Sequence, residues 1–207
     1  MKRSSPLWNI GEYAFIDCTS LKKIELNPAL NNIGIGAFSG TTELKEINLK
    51  DSKITVIRQY TFSRSGITQV GIPDTCTKLD NYCFAQCKSL SRITIPDNVT
   101  EISDNAFDGH DDSLVIICNS NSYAASYAQS KGIKYIILDS PLIGDANADG
   151  IISINDTTII QKYNVGIISS LTEYGMMCAD VNHDGNVNTR DATLIQMRVA
   201  NVITSFD

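Results

Sequence analysis

Phenylalanine returns at Phe15, Phe38, Phe62, Phe84 and Phe107, at spacings of 23, 24, 22 and 23 residues, and Leu21, Leu44, Ile67, Leu90 and Leu114 form a second column in step with it. A hydrophobic period in the low twenties predicts a solenoid of stacked repeats. Each unit opens near an Ile or Leu (Ile10, Ile33, Ile57, Leu79, Ile102) and passes through a small residue before the Phe, as in Tyr13-Ala14-Phe15, Gly36-Ala37-Phe38 and Asn105-Ala106-Phe107. It then ends in alternation: Leu21, Ile24, Leu26; Leu44, Ile47, Leu49; Ile67, Val70, Ile72; Leu90, Ile93, Ile95; and Leu114 followed by Ile116 or Ile117. Period-two alternation turns the aliphatic residues inward and leaves their neighbours on an exposed strand face. The expected unit is a short strand with a short helical or irregular return. One such unit cannot bury its own core, so the array is stable only when stacked.

The pattern stops after Cys118. Residues 119–132, with Tyr123, Ala124, Ala125, Tyr127 and Ala128, predict a short capping helix, and Ile133 to Leu138 a last strand, which together would close the end of the core. Residues 1–9 form an N-terminal segment, basic at Lys2 and Arg3, compatible with a vector-derived leader over its first five residues. No apolar run there reads as a signal peptide, so the chain is expected to be a piece of a longer secreted protein. The expected domains are a solenoid with its cap over 10–139 and a second unit over 140–207, joined at Asp139-Ser140-Pro141.

The second unit carries one polar pattern twice, thirty-five positions apart. Asp145, Asn147, Asp149, Gly150, Ile151, Ser153 and Asp156 are matched by Asp180, Asn182, Asp184, Gly185, Asn186, Asn188 and Asp191. Oxygen donors at positions one, three, five, nine and twelve, a carbonyl at seven and a glycine at six suit a hard cation such as Ca²⁺, which gathers about six to eight oxygens. Each loop is followed by an amphipathic stretch, whereas the segments before them, 141–144 and 177–179, are too short or broken for an entering helix. The expectation is loop then helix, twice, in an all-α unit.

This duplicated pattern, over residues 142–205, resembles the type I-like dockerin, the module that plugs proteins into the cohesins of a cellulosomal scaffoldin. The resemblance implies two Ca²⁺, held by Asp145, Asn147, Asp149, the carbonyl of Ile151, Ser153 through water, and Asp156. The second set is Asp180, Asn182, Asp184, the carbonyl of Asn186, Asn188 and Asp191. It also implies a cohesin-reading surface at Ile154 and Asn155, with Lys162 and Tyr163, and at Thr189 and Arg190, with Met197 and Arg198. Ile-Asn in one repeat and Thr-Arg in the other are chemically unlike, so a single binding mode is expected. The front of the chain, with Ile-Pro-Asp at 72–74 and 95–97 and Cys-x-Ser-Leu at 87–90, resembles the surface-protein type of bacterial leucine-rich repeat.

Charge separates the halves. From residue 140 onward there are eight acids and three bases; before it, fifteen and fourteen. A small acidic unit buries little apolar surface and repels itself, so calcium is expected to be a folding requirement. The net charge of −6 argues against nucleic acid, and no run approaches the roughly eighteen apolar residues of a membrane span. The six cysteines take structural places: Cys18 and Cys87 share a column three repeats apart, about 14 Å at strand spacing, too far for a disulfide. Only His110 and His183 are available as imidazoles; a His110–Cys87 or His110–Cys118 pair and the acid cluster Asp108, Asp111 and Asp112 are the hydrolytic arrangements to weigh, a turn being the plainer reading of each, and no catalytic residue is assigned.

The expected function is therefore non-enzymatic: a secreted, extracellular component attached at the cell surface through the cellulosome. Its repeats would present Lys23, Glu25, Glu46, Asn48, Gln69, Arg92 and Thr94 to a protein or polysaccharide ligand, a protein being favoured because this face is poor in aromatics. The alternative is a non-catalytic fragment of a secreted peptidase or glycoside hydrolase whose catalytic domain lies upstream.

Overall fold

A computed structural model describes residues 8–139 and 141–206, and its contacts divide the chain into two units at Tyr135/Ile136. Apart from Trp8 and Asn9, the N-terminal segment expected over 1–9 lies outside the described residues, as does Ser140 of the expected linker.

In the first unit each repeat contributes two short strands. One column is β2 (Lys23–Ile24), β4 (Glu46–Ile47), β6 (Gln69–Gly71), β8 (Arg92–Thr94) and β10 (Val115–Cys118). The other is β1 (Asn9–Ile10), β3 (Asn32–Ile33), β5 (Val56–Ile57), β7 (Lys78–Leu79) and β9 (Glu101–Ile102). Pairing is parallel and keeps like residues in register: Ile10 on Ile33, Ile24 on Ile47, Leu79 on Ile57 and Ile102, and Ile93 on Val70 and Ile116. Ile116, then, holds the column position in the fifth repeat.

The returns are irregular apart from one short 3-10 helix at Leu49–Asp51. Between the second column and the next strand the chain makes a turn around each Phe, and its N–H groups alternate between two kinds of acceptor. Ala14, Ile16 and Cys18 donate three residues back, to Gly11, Tyr13 and Phe15. Tyr13, Phe15 and Asp17 donate across to the carbonyls of Ile35, Ala37 and Ser39 in the next repeat, and the same trio recurs at Gly36, Phe38 and Gly40, and at Tyr60, Phe62 and Arg64. In the first four turns this zigzag uses two left-handed residues, filled by Tyr13 and Asp17, Gly36 and Gly40, Tyr60 and Arg64, and Tyr82 and Gln86. A non-glycine residue in that conformation costs about 1–2 kcal/mol, offset here by the cross-repeat hydrogen bonds and the rings they align.

Those rings are the core. Phe15, Phe38, Phe62, Phe84 and Phe107 stack with centroids 5.1–5.6 Å apart and planes within 12°. Phe38, Phe62 and Phe84 are essentially inaccessible, whereas Phe15, with one neighbour, is half-buried. The ladder ends on α1 (Tyr123–Lys131), which Ser122 caps by accepting from Ala125 N and left-handed Gly132 terminates. Its Ala124, Ala125, Tyr127 and Ala128 are buried; the Tyr127 ring tilts against Phe107 at 6.0 Å, and Lys131 pairs with Asp104 at 2.8 Å. β11 (Lys134–Ile137) follows, at the edge of the sheet ordered β11-β10-β8-β6.

The second unit contains α2 (Ile154–Asn164), α3 (Glu173–Ala179) and α4 (Thr189–Val199), with α2 packed on α4 around Ala146, Ile160, Ala179, Val181, Ala192 and Ile195. The expectation of no helix before either loop fails for the second: α3 runs straight into it, its start capped by Thr172 accepting from Gly175 N. Gly175 hides this helix from a propensity reading, yet a Cβ there would sit 2.5 Å from the Ala146 carbonyl, so the close approach of the 146 backbone requires glycine.

Phe62 has a stacked ring on both sides and no exposure, so Phe62→Ala is expected to cost about 3–5 kcal/mol in denaturant unfolding monitored on the repeats. Phe15→Ala, at the half-buried end, should cost less than half as much.

Candidate functional site

The two loops, 145–156 and 180–191, share one backbone. Position four is left-handed in both (Ala148 φ 58°, His183 φ 57°), and so is the glycine at position six (Gly150 φ 83°, Gly185 φ 82°). No atom lies within 4 Å of a Cβ built on either glycine, so it is the positive φ, and not lack of space, that selects glycine.

These bends aim the loop's own N–H groups at its oxygen donors. Asp145 accepts from Asp149 N at 3.0 Å and Gly150 N at 2.9 Å; Asp180 accepts from Asp184 N at 3.1 Å and Gly185 N at 2.9 Å. Asn147 and Asn182 accept from Asp149 N and Asp184 N, and these two aspartates accept in turn from Ile151 N and Asn186 N. A carboxylate oxygen can accept more than one bond, so these contacts orient the donors without exhausting them.

Position twelve does two jobs. Ser153 and Asn188 cap α2 and α4, and Asp156 and Asp191 complete capping boxes by accepting from Ser153 N at 2.7 Å and Asn188 N at 2.9 Å. Their second oxygens reach back to the start of the loop. Asp156 accepts from Asn147 N at 3.0 Å, and Asp191 accepts from Val181 N at 3.1 Å and Asn182 N at 3.4 Å. One carboxylate thus ties the first third of each loop to the first turn of its helix. The capping role was readable in the sequence as Ser153 and Asn188 each followed three residues later by an acid.

Asp145, Asp156 and Asp191 are completely buried, and among the described residues no Lys or Arg forms an ion pair with them. Burial raises the carboxyl pKa of Asp145 and Asp156, against the lowering effect of their backbone N–H bonds, and the neighbouring Asp149 raises both further. Asp149 and Asp184 are exposed, and among the described residues no three acidic, His or Cys side chains close on a single point. The donors are all oxygen: three carboxylates per loop, with amide, hydroxyl and carbonyl oxygens beside them. Buried anions without a cationic partner, in an all-oxygen set, fit a hard divalent cation such as Ca²⁺.

Of the predicted contact residues, Ile154, Asn155, Lys162, Thr189 and Arg190 are exposed and Tyr163, Met197 and Arg198 half-buried. The duplication continues past the helices. Ile167 N donates to Lys162 O and Val202 N to Met197 O, beyond left-handed Gly166 and Asn201, and the aliphatic side chains of Ile167 and Val202 are 71% and 66% exposed. The sequence reading passed over these two; a Gly or Asn just after each helix was the available signal.

On the repeats, Lys23 and Glu25 pair with each other at 3.0 Å, while Glu46 and Gln69 are exposed and Arg92 and Thr94 half-buried. Asn48 is committed to structure: its amide accepts from Leu26 N at 2.7 Å and donates to Leu26 O at 3.0 Å, taking the place of a strand rung. His110 Nδ1 meets the adjacent Asp111 carbonyl, whereas the Cys87 thiol donates to Phe62 O and is pushed up in pKa by burial, as is Cys83, so both are held as thiols.

Because the folded-state pKa values of Asp145 and Asp156 are raised, the stability these groups contribute without cation is full below the ordinary carboxylate range and is lost as pH rises through their folded values. In chelator, the helical signal of the second unit should melt at a lower temperature at pH 7 than at about pH 4, the ordinary carboxylate value from which both groups are raised. A bound divalent cation would reverse the order, since it needs the carboxylates deprotonated; melting curves at the two pH values, with and without calcium, check both signs.

Residues 8–134 match the BspA type leucine rich repeat region in six copies, and residues 143–200 match the dockerin type I domain. No curated protein matches the chain. Among solved structures, a leucine rich cell surface protein of Faecalibacterium prausnitzii is 28% identical over 63% of this chain, with a TM-score of 0.53, and the match spans 33% of that protein. A complex of a cohesin with a dockerin from Acetivibrio cellulolyticus, described as displaying a type I interaction, matches at 32% identity over 32% of this chain and 93% of that chain, with a TM-score of 0.32. The chain belongs to the BspA type leucine-rich-repeat family and carries, behind its repeats, a type I dockerin domain.

Proposed function

We propose that this chain is an assembly component of a cellulosome, whose dockerin binds a scaffoldin cohesin in a calcium-dependent manner and in one orientation. The observation that carries the reading is the pair of loop–helix units with matching backbones and hydrogen bonds. Asp145, Asn147, Asp149, the Ile151 carbonyl, Ser153 and Asp156 would hold one ion, and Asp180, Asn182, Asp184, the Asn186 carbonyl, Asn188 and Asp191 the other. Bound calcium would supply positive charge to the buried carboxylates and so fix where α2 and α4 begin.

The helix starts decide orientation. Ile154-Asn155 and Thr189-Arg190 occupy equivalent first-turn positions, so a half-turn of the module would exchange an aliphatic and an amide for a hydroxyl and a guanidinium. A single cohesin patch cannot satisfy both pairs equally. The repeats act as an interaction module, with Lys23, Glu25, Glu46, Gln69, Arg92 and Thr94 as the strand-face residues and Asn48 as a structural one. Neither matched region is a catalytic domain. Among the described residues no helix is long and apolar enough to cross a membrane, and we place the protein outside the cell, held at the surface through the scaffoldin.

Titration against a panel of type I cohesins tests this directly. Tight binding in calcium should disappear in excess chelator. One of the two double variants, Ile154→Ala with Asn155→Ala or Thr189→Ala with Arg190→Ala, should lose at least about 30-fold in affinity, the scale of a hot-spot cluster, and the other should be nearly silent. Two harmless double variants whose combination abolishes binding would instead establish two orientations.

A further inference from the structure

The two loops of the dockerin share a backbone but are entered differently. Loop 180–191 is entered from a helix: Ala179, the last residue of α3, is completely buried in the core, and Asp180 follows it directly. Among the described residues no helix leads into loop 145–156. Gly144, which precedes Asp145 as Ala179 precedes Asp180, is left-handed at φ 102°. Backbone without a helix around it needs other anchors, because side chains that are to converge on one point must start from fixed places.

Three anchors come from α3. Tyr174 Oη accepts from Leu142 N at 3.0 Å, the Cys178 carbonyl accepts from Gly144 N at 2.8 Å, and Gly175, having no Cβ, lets the Ala146 carbonyl come close. A further one comes from beyond α4. A Cβ on Gly144 would stand 2.9 Å from Phe206 Cζ, 3.1 Å from Phe206 Cε2 and 3.3 Å from Ile152 Cγ2, so the Phe206 ring and the Ile152 side chain close on the same point. Both also pack against the core between α2 and α4. Gly144 and Ile152 flank the stretch 145–151, which carries four of the six donors assigned to this loop: Asp145, Asn147, Asp149 and the Ile151 carbonyl. In the second loop the corresponding pair is Ala179 and Val187, and these join the core directly.

We propose that Phe206 is a positioning residue for the first cation site alone. Its ring does for loop 145–156 what the end of α3 does for loop 180–191: it holds the two ends of the donor-bearing stretch together, so that Asp145, Asn147 and Asp149 keep their places relative to Asp156. Without the ring the stretch would have to be ordered as the cation arrives, and that ordering is subtracted from the affinity. The second loop would not share the loss, because Ala179 and Val187 are held by the core. The inference rests on the calcium reading of the loops and not on the cohesin reading.

The test is a calcium titration of the full chain followed by NMR, with free calcium set by a chelator buffer. The amides of Gly150 and Gly185, which donate to Asp145 and Asp180, report the two loops separately. In Phe206→Ala the Gly150 signal should need at least about tenfold more free calcium to reach its loaded position, the scale on which removing a group that orients metal ligands acts, while Gly185 should change by less than about twofold. Phe206→Leu keeps an apolar side chain over Gly144 and should show the same selectivity with a smaller loss; it carries the test if the alanine variant does not fold. Equal weakening at both glycines would make Phe206 a general packing residue and overturn the proposal, as would no weakening at either. If neither glycine responds to calcium in the parent, the calcium reading itself falls, and this proposal with it.

Discussion

The first four turns of the solenoid leave alternate backbone N–H groups with no acceptor of their own, and the acceptors stand in the next repeat. Tyr13, Phe15 and Asp17 depend on the carbonyls of Ile35, Ala37 and Ser39 as fully as a strand depends on its neighbour. Such groups are costly to bury unpaired, so the spacing of the rungs is set by hydrogen bonds before side chains are considered. The Phe rings stack because the backbone delivers them in parallel, and α1 is needed because the last rung has no successor. Tyr127 closes the series by placing a tilted ring, in place of a further parallel one, on Phe107.

The dockerin solves a related problem differently. Beside the apolar core between α2 and α4, it holds its helix starts through anions. Asp156 and Asp191 sit where helix start, loop start and cation donors meet, so three requirements fall on one side chain. Without a cation that side chain is a buried charge held by backbone N–H groups alone; with one, the same bonds become the scaffold that orients it. On the proposed reading folding and recognition are linked, because the residues just before these aspartates, Ile154-Asn155 and Thr189-Arg190, belong to the same first turns.

Much of this was legible in the sequence, for particular reasons. The Phe and Leu columns, the cap over 119–132 and the doubled loops each rest on residue types that have few other uses in that spacing. The second strand column was not legible as strands: a pair such as Lys78–Leu79 is too short to show alternation, and only its aliphatic member was visible. α3 was hidden because Gly175, required by a close approach to Ala146, reads as a helix breaker. Asn48 read as a surface residue because side-chain alternation does not reveal that an amide can stand in for a strand rung. The tyrosines were visible only as fillers before the small-Phe pair, since nothing in the letters distinguishes a left-handed tyrosine from an ordinary one.

That last difference explains where a repeat protein has room to specialise. The inward columns are constrained twice, by packing against the rungs above and below and by the hydrogen bonds that set the spacing, so Phe follows Phe. The left-handed positions are constrained only in backbone, and at one of them the chain sets Tyr, Gly, Tyr and Tyr in succession. Glycine shows what the backbone prefers there; the tyrosines are held by neighbouring repeats, Tyr60 stacking on Tyr82 and Tyr13 covering Gly36. The dockerin offers the parallel case: identical loop geometry carries Ile-Asn once and Thr-Arg once, because each capping box is made by its first and last residues and leaves the two between them free to differ. In both units the repeated backbone specifies position, and the departures from the repeat are where side-chain chemistry is free to vary.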